Sequence, residues 1–402
     1  MINTYNQIDN QLFINNRLKL KQLLPTKSLV LIKSYNDILN NVNKYQPNNN
    51  LFYLSGIDKE ESILLIYNDG ANDWKEVLFI RDITERVLVW EGEKIDITIA
   101  QQISGIEEVH FISEYEKMIG SIINKIDTIY IDIEENQVQN SNYHSLIKNY
   151  PFHRYKSLTP LMTQLRMYKD NIEVELIKKA CSITIKAYEH IKSFIRPAIY
   201  EYDLQAEFSS YFIKHCADGF AYRPIIASGK NNCKLHYDNN NNKIQSGDLV
   251  LMDVACGYAN YKSDVTRTVP ANGTFTKRQE EVYNSVLNVF NKIQEVIQVG
   301  MTFKEYRKIS DDMMIEELYK LKLISPDDMK QNPLCYKKYW PHGISHHLGL
   351  DVHDIADYDI PFNNKMVFTI EPGIYIPEEN FGIRHENTFL INDNKVIDLC
   401  EE

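Results

Sequence analysis

The chain has 402 residues, more than one ordinary core accommodates, so two domains are the expected arrangement. Hydrophobic residues make up 44% and charged residues 25%, the balance of a globular rather than a disordered protein. The net charge of -11 argues against a nucleic-acid partner, because binding a phosphate backbone needs a basic surface; otherwise the acidity reads as ordinary solubility.

No stretch approaches the ~20 apolar residues that span a bilayer, so no membrane partner is expected. The first ten residues, MINTYNQIDN, lack the charged-then-apolar pattern of a signal segment. The six cysteines, Cys181, Cys216, Cys233, Cys256, Cys335 and Cys400, are scattered and form no C-x-x-C pair. They read as reduced thiols of a cytoplasmic protein, and a zinc-thiolate site is not expected.

Residues 1–165 alternate strand and helix patterns and predict a small α/β domain. Buried strands are expected at Leu29 to Lys33, Ser62 to Tyr67, Val77 to Ile80 and Thr128 to Ile133, with helical spacing near Ile95 to Ile103. No G-x-G-x-x-G follows a strand, so nothing supports a dinucleotide site. The asparagine runs Asn48 to Asn50 and Asn239 to Asn242 read as polar loop padding.

Residues 166–402 form the second predicted domain. Asp170 followed by Glu173 is a capping box that opens a long amphipathic helix, with apolar residues at Leu176, Ala180, Ile183, Ala187, Ile191 and Phe194. A second helix is expected from Glu201 to His215, stopping near Gly219. Strands follow at Pro224 to Ser228, Asp248 to Ala255 and Tyr261 to Thr268. Two helices come next, opened by the capping boxes Thr276 to Gln279 and Thr302 to Glu305, then strands at Val367 to Glu371, Gly373 to Ile376 and Ile383 to Ile391. This order hints at two similar halves without a sequence repeat.

Asp253 and Asp264 each interrupt an apolar, strand-like run, LVLMDVACG and YKSDVTRTV. Their spacing, with Gly257 between them, suits two antiparallel strands joined by a short turn, which would bring the carboxylates together. A buried carboxylate is costly unless paired or metal-bound, and a salt-bridged pair is an even alternative for these two alone. His342, His346, His347 and His353 fall within twelve residues of WPHGISHHLGLDVHD, among eleven histidines in the chain. Imidazole serves as metal ligand and as proton or hydrogen-bond donor near neutral pH; His347 is read as a packing residue. Glu371 ends an apolar strand before a Pro-Gly turn, and Glu386 stands two residues after Arg384. Either glutamate taken singly reads more simply as an ion pair. Together, two Asp, two Glu and a His make an oxygen-rich site suited to Mn²⁺, Co²⁺, Fe²⁺ or Zn²⁺. Four converging carboxylates repel one another unless cations lie among them, and two divalent ions ~3.5–4 Å apart would neutralise them.

With these residues in view, the second domain resembles the pita-bread metallopeptidases, the group of methionine aminopeptidase, prolidase and aminopeptidase P. LHYDNN, GDLVLMDVACGYANYKSDVTRTVP, HGISHHLGLDVHD, TIEPGIYI and GIRHEN carry the likeness. In the first domain NNNLFYLSGIDKEESILLI and FIRDITERVLVWEG resemble the N-terminal domain of aminopeptidase P, so nearly the whole chain is covered. The resemblance implies an α+β chain: a C-terminal pita-bread fold behind a smaller α/β domain that narrows access to short peptides. It implies two divalent ions, Mn²⁺ in aminopeptidase P members. Asp253 would chelate one ion, Asp264 and Glu386 would bridge both, and His346 and Glu371 would bind the second. It places His236, His342 and His353 against the substrate, Arg384 as support of the ligand cluster, and Glu371 as proton carrier for a metal-bound hydroxide. His353 would donate to the oxyanion. The implied substrates are peptides with proline second, and the implied assembly is a homodimer or homotetramer.

Departures from the family pattern and rival readings stand beside this. His385 occupies a position more often apolar in the family, Asn387 and Thr388 follow where acids are frequent, and the loop from Glu371 to Arg384 is short. A prolidase would cut only dipeptides and leave Xaa-Pro-Yaa intact. A creatinase-like hydrolase or a non-catalytic peptide-binding module on this fold would lack ligands, and all five are present.

Overall fold

The computed structural model describes residues 8–34, 47–71, 73–133 and 143–401. The N-terminal segment read above lies outside them through residue 7. The chain divides into two compact units, Met1–Leu165 and Arg166–Glu402.

The first unit is built on a six-stranded mixed sheet of Ser28–Lys33 (β1), Ile63–Tyr67 (β2), Lys75–Ile80 (β3), Glu108–Phe111 (β4), Thr128–Ile131 (β5) and Arg154–Ser157 (β6), in the order β4-β3-β2-β1-β5-β6. Strand β1 reads as an unbroken apolar run because both of its faces are covered: Leu29, Val30, Leu31 and Ile32 are fully buried. One layer gathers Leu29, Leu31, Leu65, Val77, Phe79 and Ile129. Asn48, read as loop padding, is instead buried and structural. Its side chain caps the helix Asn49–Ser55 by accepting from Asn50 N and Leu51 N, and donates to Lys33 O and Asp132.

The second unit carries the helices Asn171–Ile191, Glu201–Lys214, Lys277–Val296 and Phe303–Lys320, the first and the last two opened by the capping boxes expected of them. Its strands are Gly219–Phe220 (β7), Ile225–Ser228 (β8), Leu249–Asp253 (β9), Cys256–Tyr258 (β10), Tyr261–Lys262 (β11), Thr266–Pro270 (β12), Val367–Ile370 (β13), Gly373–Ile376 (β14), Phe381–Arg384 (β15), Asn387–Asn392 (β16) and Lys395–Asp398 (β17). They form small antiparallel groups: β11-β10-β7, β12-β9-β8, β13-β16-β17 and the pair β14-β15. Lys277–Val296 and Phe303–Lys320 cover one side, burying Val286, Phe290, Tyr306 and Met314 with Trp340, Phe368, Ile374 and Phe389.

Two runs read as single strands are each broken in two. Tyr261 to Thr268 divides at Ser263–Val265, and Ile383 to Ile391 divides at His385–Glu386; the halves belong to different sheets. Hydroxyl groups replace the missing ladder bonds. The Tyr188 hydroxyl, from Asn171–Ile191, lies 2.9 Å from both Met252 O and Val265 O and accepts from Val254 N. Thr268 Oγ1 donates to Arg384 O and accepts from Arg384 N. The short turn expected around Gly257 is also displaced. Gly257 lies within β10, and the two-residue turn is Ala259–Asn260, both at positive φ, closing the β10–β11 hairpin between the two aspartates. Among the described residues no helix is long and apolar enough to cross a membrane, and all six cysteines are free.

The loop after His353 is anchored by charge. Asp354 is buried against Arg166 and Lys169 Nζ (3.0 Å), and Arg166 also reaches Asp351 at 2.7 Å. A side chain at Gly349 would collide with the Asp354 carboxylate, so this packing requires glycine there. Burial would raise the Asp354 carboxyl, but Arg166 and Lys169 outweigh it and hold it below the usual range. A depressed folded-state pKa gives stability that is present above the unfolded value of ~3.9 and lost as pH falls through the folded value. Asp354→Asn is therefore expected to cost about 3–5 kcal/mol at neutral pH by stranding two buried cations. In urea titrations the gap to the parent chain should narrow as pH falls below the unfolded value of ~3.9 and through the depressed folded value, where the parent carboxylate itself becomes protonated.

Candidate metal centre

The breaks in the strands place the acids. Asp253 closes β9, and its cross-strand partner is Thr266 on β12. Asp264 lies in the break before β12, where Thr388 Oγ1 accepts from its N–H at 3.1 Å and donates to its carbonyl at 3.0 Å. Thr388 thus holds a proposed ligand, at a position where the family resemblance led one to expect an acid. Glu386 lies in the other break. Its N–H donates to Thr266 O, and its carboxylate accepts from Thr266 Oγ1 at 2.6 Å. One threonine therefore ties the β12 side to the β15–β16 break.

His346 and Glu371 arrive from a third direction. The segment before β13 zips onto that strand: Thr369 N donates to His346 O, and Glu371 N donates to Ile344 O, both at 2.9 Å. The His346 ring sets its Nδ1 3.0 Å from His347 O, which assigns a proton to Nδ1 and turns Nε2 towards Asp264 Oδ2 (3.4 Å) and Glu371 Oε1 (3.6 Å). A carbonyl that fixes the tautomer in this way is the usual partner of a metal-binding histidine.

Asp253, Asp264, His346, Glu371 and Glu386 line one cavity of about 340 Å³, together with His236, His342, His353 and Arg384. The structure brings together every site residue expected from the sequence. Ligand atoms of Asp264, His346 and Glu386 all lie within 4.8 Å of one another. The electrostatics show the strain of this crowding. Burial, then the neighbouring Asp264, Glu371 and Asp253, push the Glu386 carboxyl well above the ordinary range. Burial raises Glu371 to about 7, with His346 and Arg384 opposing and Asp264 and Asp253 adding. Burial would lower His346, but Asp264 and Glu371 win and raise it to about 9. Arg384 is the buried cation of the cluster, donating to Asp253 Oδ2 at 2.6 Å and Tyr375 Oη at 2.8 Å. One guanidinium does not balance four carboxylates. The donor set, buried, carboxylate-rich and with an imidazole nitrogen turned into it, fits divalent cations, which would displace the proton that the carboxylates hold on that nitrogen.

Several residues of the centre escaped the sequence reading. Tyr222 donates to Asp253 Oδ1 at 2.6 Å. Tyr375 bridges Arg384 to His342 Nε2 at 2.8 Å, and His342 Nδ1 lies 2.7 Å from Gly343 O. Burial pushes His342 down to about 3, so the ring is neutral and both nitrogens are engaged within the protein. Tyr375 sits in the apolar run GIYI, where nothing but the structure singles it out. The run Asn239 to Asn242 is also more than padding. Asn240 is buried and donates to Pro224 O, while Glu201 accepts from Ser228 N, Ser228 Oγ, Tyr237 Oη and Asn242 N. This clamp holds the loop bearing the exposed His236. His347 is fully buried against Phe303 and Tyr358, in keeping with a packing role, and His385 packs on Phe290 and is lowered to about 3 by burial.

Residues 175–393 match metallopeptidase family M24, and residues 13–130 match the aminopeptidase P N-terminal domain. The chain belongs to metallopeptidase family M24, and it is a metal-dependent aminopeptidase. It is 29% identical to the Xaa-Pro aminopeptidase of Escherichia coli (96% of this chain, 93% of the relative) and 29% identical to that of Haemophilus influenzae (94% and 91%). Among solved structures it resembles aminopeptidase P from E. coli in its low-pH form, with a TM-score of 0.90 and 27% identity, covering 98% of this chain and 96% of that one.

Thr266 is expected to act on metal affinity through Glu386. Thr266→Val keeps the shape but removes the hydroxyl that donates to the carboxylate and accepts from Arg384 Nε. Calorimetric titration of the metal-free protein with Mn²⁺ should show affinity weakened roughly 10–100-fold. An unchanged affinity would show that this hydroxyl does not support the ligand.

Proposed function

We propose that the protein hydrolyses the N-terminal Xaa-Pro bond of peptides with two divalent metal ions held by Asp253, Asp264, His346, Glu371 and Glu386. One observation carries this reading: four carboxylates and an imidazole nitrogen converge on a single cavity with one buried guanidinium among them. On the family resemblance, Asp253, Asp264, His346, Glu371 and Glu386 would together hold the two ions. When bound, such a pair supplies Lewis acidity, making water a nucleophile near neutral pH and polarising a carbonyl.

The remaining steps fall to the protein's own groups. Glu371 carries the proton from the attacking water to the leaving imino nitrogen; its Oε1 accepts from Thr369 Oγ1 at 3.3 Å, and Oε2 remains near the ring of His342. His353, exposed and packed edge-on against the His346 ring at 4.3 Å, donates to the oxyanion as charge develops there. The nitrogens of His342 being engaged, its ring offers a flat wall, and with Leu235 and Val352 it encloses the proline. His236 borders the same space. The free amine of the substrate is drawn to the acidic interior. A cavity of about 340 Å³ admits the end of a peptide rather than a folded chain, which accounts for exopeptidase action. Mn²⁺ as the metal and a homodimeric or homotetrameric assembly belong to the same reading, supported by the family resemblance; a cytoplasmic setting belongs to it on the scattered cysteines, all six of them free.

The deciding assay gives Mn²⁺-loaded protein Xaa-Pro dipeptides and longer Xaa-Pro peptides and follows release of the first residue. Cleavage of the longer peptides is expected; cleavage of dipeptides alone would make the protein a prolidase. Asp264→Asn and Glu386→Gln should each lower metal content in elemental analysis and reduce turnover roughly a hundredfold or more, the scale of losing one electrostatic element of an active site. Full metal and full turnover in either variant would refute the ligand set.

A further inference from the structure

We propose that Arg223 is a specificity-determining residue that selects peptides bearing a carboxylate close to the scissile bond, an inference that rests on the aminopeptidase reading above. Arg223 lines the same cavity as the proposed ligands. It follows Tyr222, whose hydroxyl bonds Asp253, and precedes Pro224 and β8, whose Ile225 is the cross-strand partner of Asp253. The backbone of Arg223 is therefore held in register with the metal centre. Asn240, bonded to both Pro224 O and Ile226 N, fixes this stretch further.

Two arginines and no lysine line the cavity among the described residues. Arg384 is buried and committed to Asp253, Tyr375 and Thr266. Arg223 is the opposite case, with its side chain 72% exposed. Among the described residues its hydrogen bonds and ion pairs are to Asp238: Nη1 to Asp238 Oδ2 at 2.8 Å and Nη2 to Asp238 O at 3.3 Å. Asp238 is also exposed and lines the cavity. An ion pair this open to water holds weakly and is easily exchanged. A peptide carboxylate arriving at the rim can take the place of the Asp238 side chain, because the planar fork of a guanidinium receives a carboxylate through two parallel N–H bonds. Inside the cavity the acids are matched by metal and Arg384, so the rim pair sets the charge that an approaching peptide meets.

The carboxylate has two possible sources, an acidic side chain on the first residue or the C-terminal carboxylate of a tripeptide. Three peptides separate them: Ala-Pro-Ala amide, Ala-Pro-Ala free acid and Glu-Pro-Ala amide. With the Mn²⁺-loaded parent, kcat/KM is expected to favour one of the two acidic peptides over the neutral amide by roughly 3–10-fold, and the favoured peptide names the source. Arg223→Ala should bring that ratio close to one, with the change carried by KM. Arg223→Lys should retain part of it, and Asp238→Asn, by freeing the guanidinium, should increase it. A parent ratio near one, or equal losses on all three peptides in Arg223→Ala, would overturn the assignment of Arg223 while leaving the aminopeptidase reading intact. No release from any of the three by the parent would overturn both.

Discussion

The interior of the second unit is organised around charges that repel. Asp253, Asp264, Glu371 and Glu386 share one cavity, and water is largely excluded from Asp264 and Glu386. Carboxylates in that condition either take up protons or acquire cations. The upward displacement of Glu386 and Glu371, and of the His346 imidazole that faces them, marks the same pressure from both sides. A fold that tolerates this arrangement without an ion gains little from it. Divalent cations turn the repulsion into a binding site, and this is the physical ground on which the proposed function stands.

Keeping four acids together while the chain still forms sheets has a visible architectural consequence. Asp264 and Glu386 both occupy breaks where a strand leaves one sheet and joins another. A break leaves backbone groups unpaired, and buried backbone groups must find partners. Hydroxyl side chains supply them: Tyr188 at Met252 to Val254 and Val265, Thr268 at Arg384, and Thr388 at Asp264. Thr266 does for a carboxylate what these do for the backbone. The helix Asn171–Ile191 is thus more than a cover for the sheet, since its Tyr188 and Thr184 make part of the hydrogen bonding that β9 and β10 lack.

How far the sequence could be read follows from the same physics. An acid inside an apolar run violates the expected pattern, so Asp253, Asp264 and Glu371 stood out; the histidines stood out by clustering, and capping boxes such as Asp170 to Glu173 fixed the helix starts. The strand breaks were not legible, because β formers such as Tyr261 and Thr266, or Ile383, Thr388 and Phe389, flank them as in a continuous strand. Tyr222, Tyr375 and Thr266 were missed because hydroxyl residues are at home in strands whether or not they hold a ligand in place. Glu201 gave no signal at all: at the start of a helix an acid looks like a response to the helix dipole, whereas here its carboxylate gathers four donors, two from Ser228 at the end of β8 and two from the loop beside the site.

The centre divides into a fixed interior and an adjustable rim. Each interior acid has at least one protein group holding its carboxylate or its backbone, among them Tyr222 and Arg384 on Asp253, Thr388 on Asp264, Thr369 on Glu371 and Thr266 on Glu386. Changes there would alter how the proposed ions are held. At the rim, His236, Arg223 and Asp238 are exposed, and the stretch that carries them is secured from behind by Glu201 and Asn240. Their backbone is held while their side chains meet solvent. A substitution at such a position changes which peptide is held without disturbing the acids beneath it. Chemistry and selectivity are therefore borne by different residues of the same cavity, and they can vary independently as long as the anchors behind the rim remain.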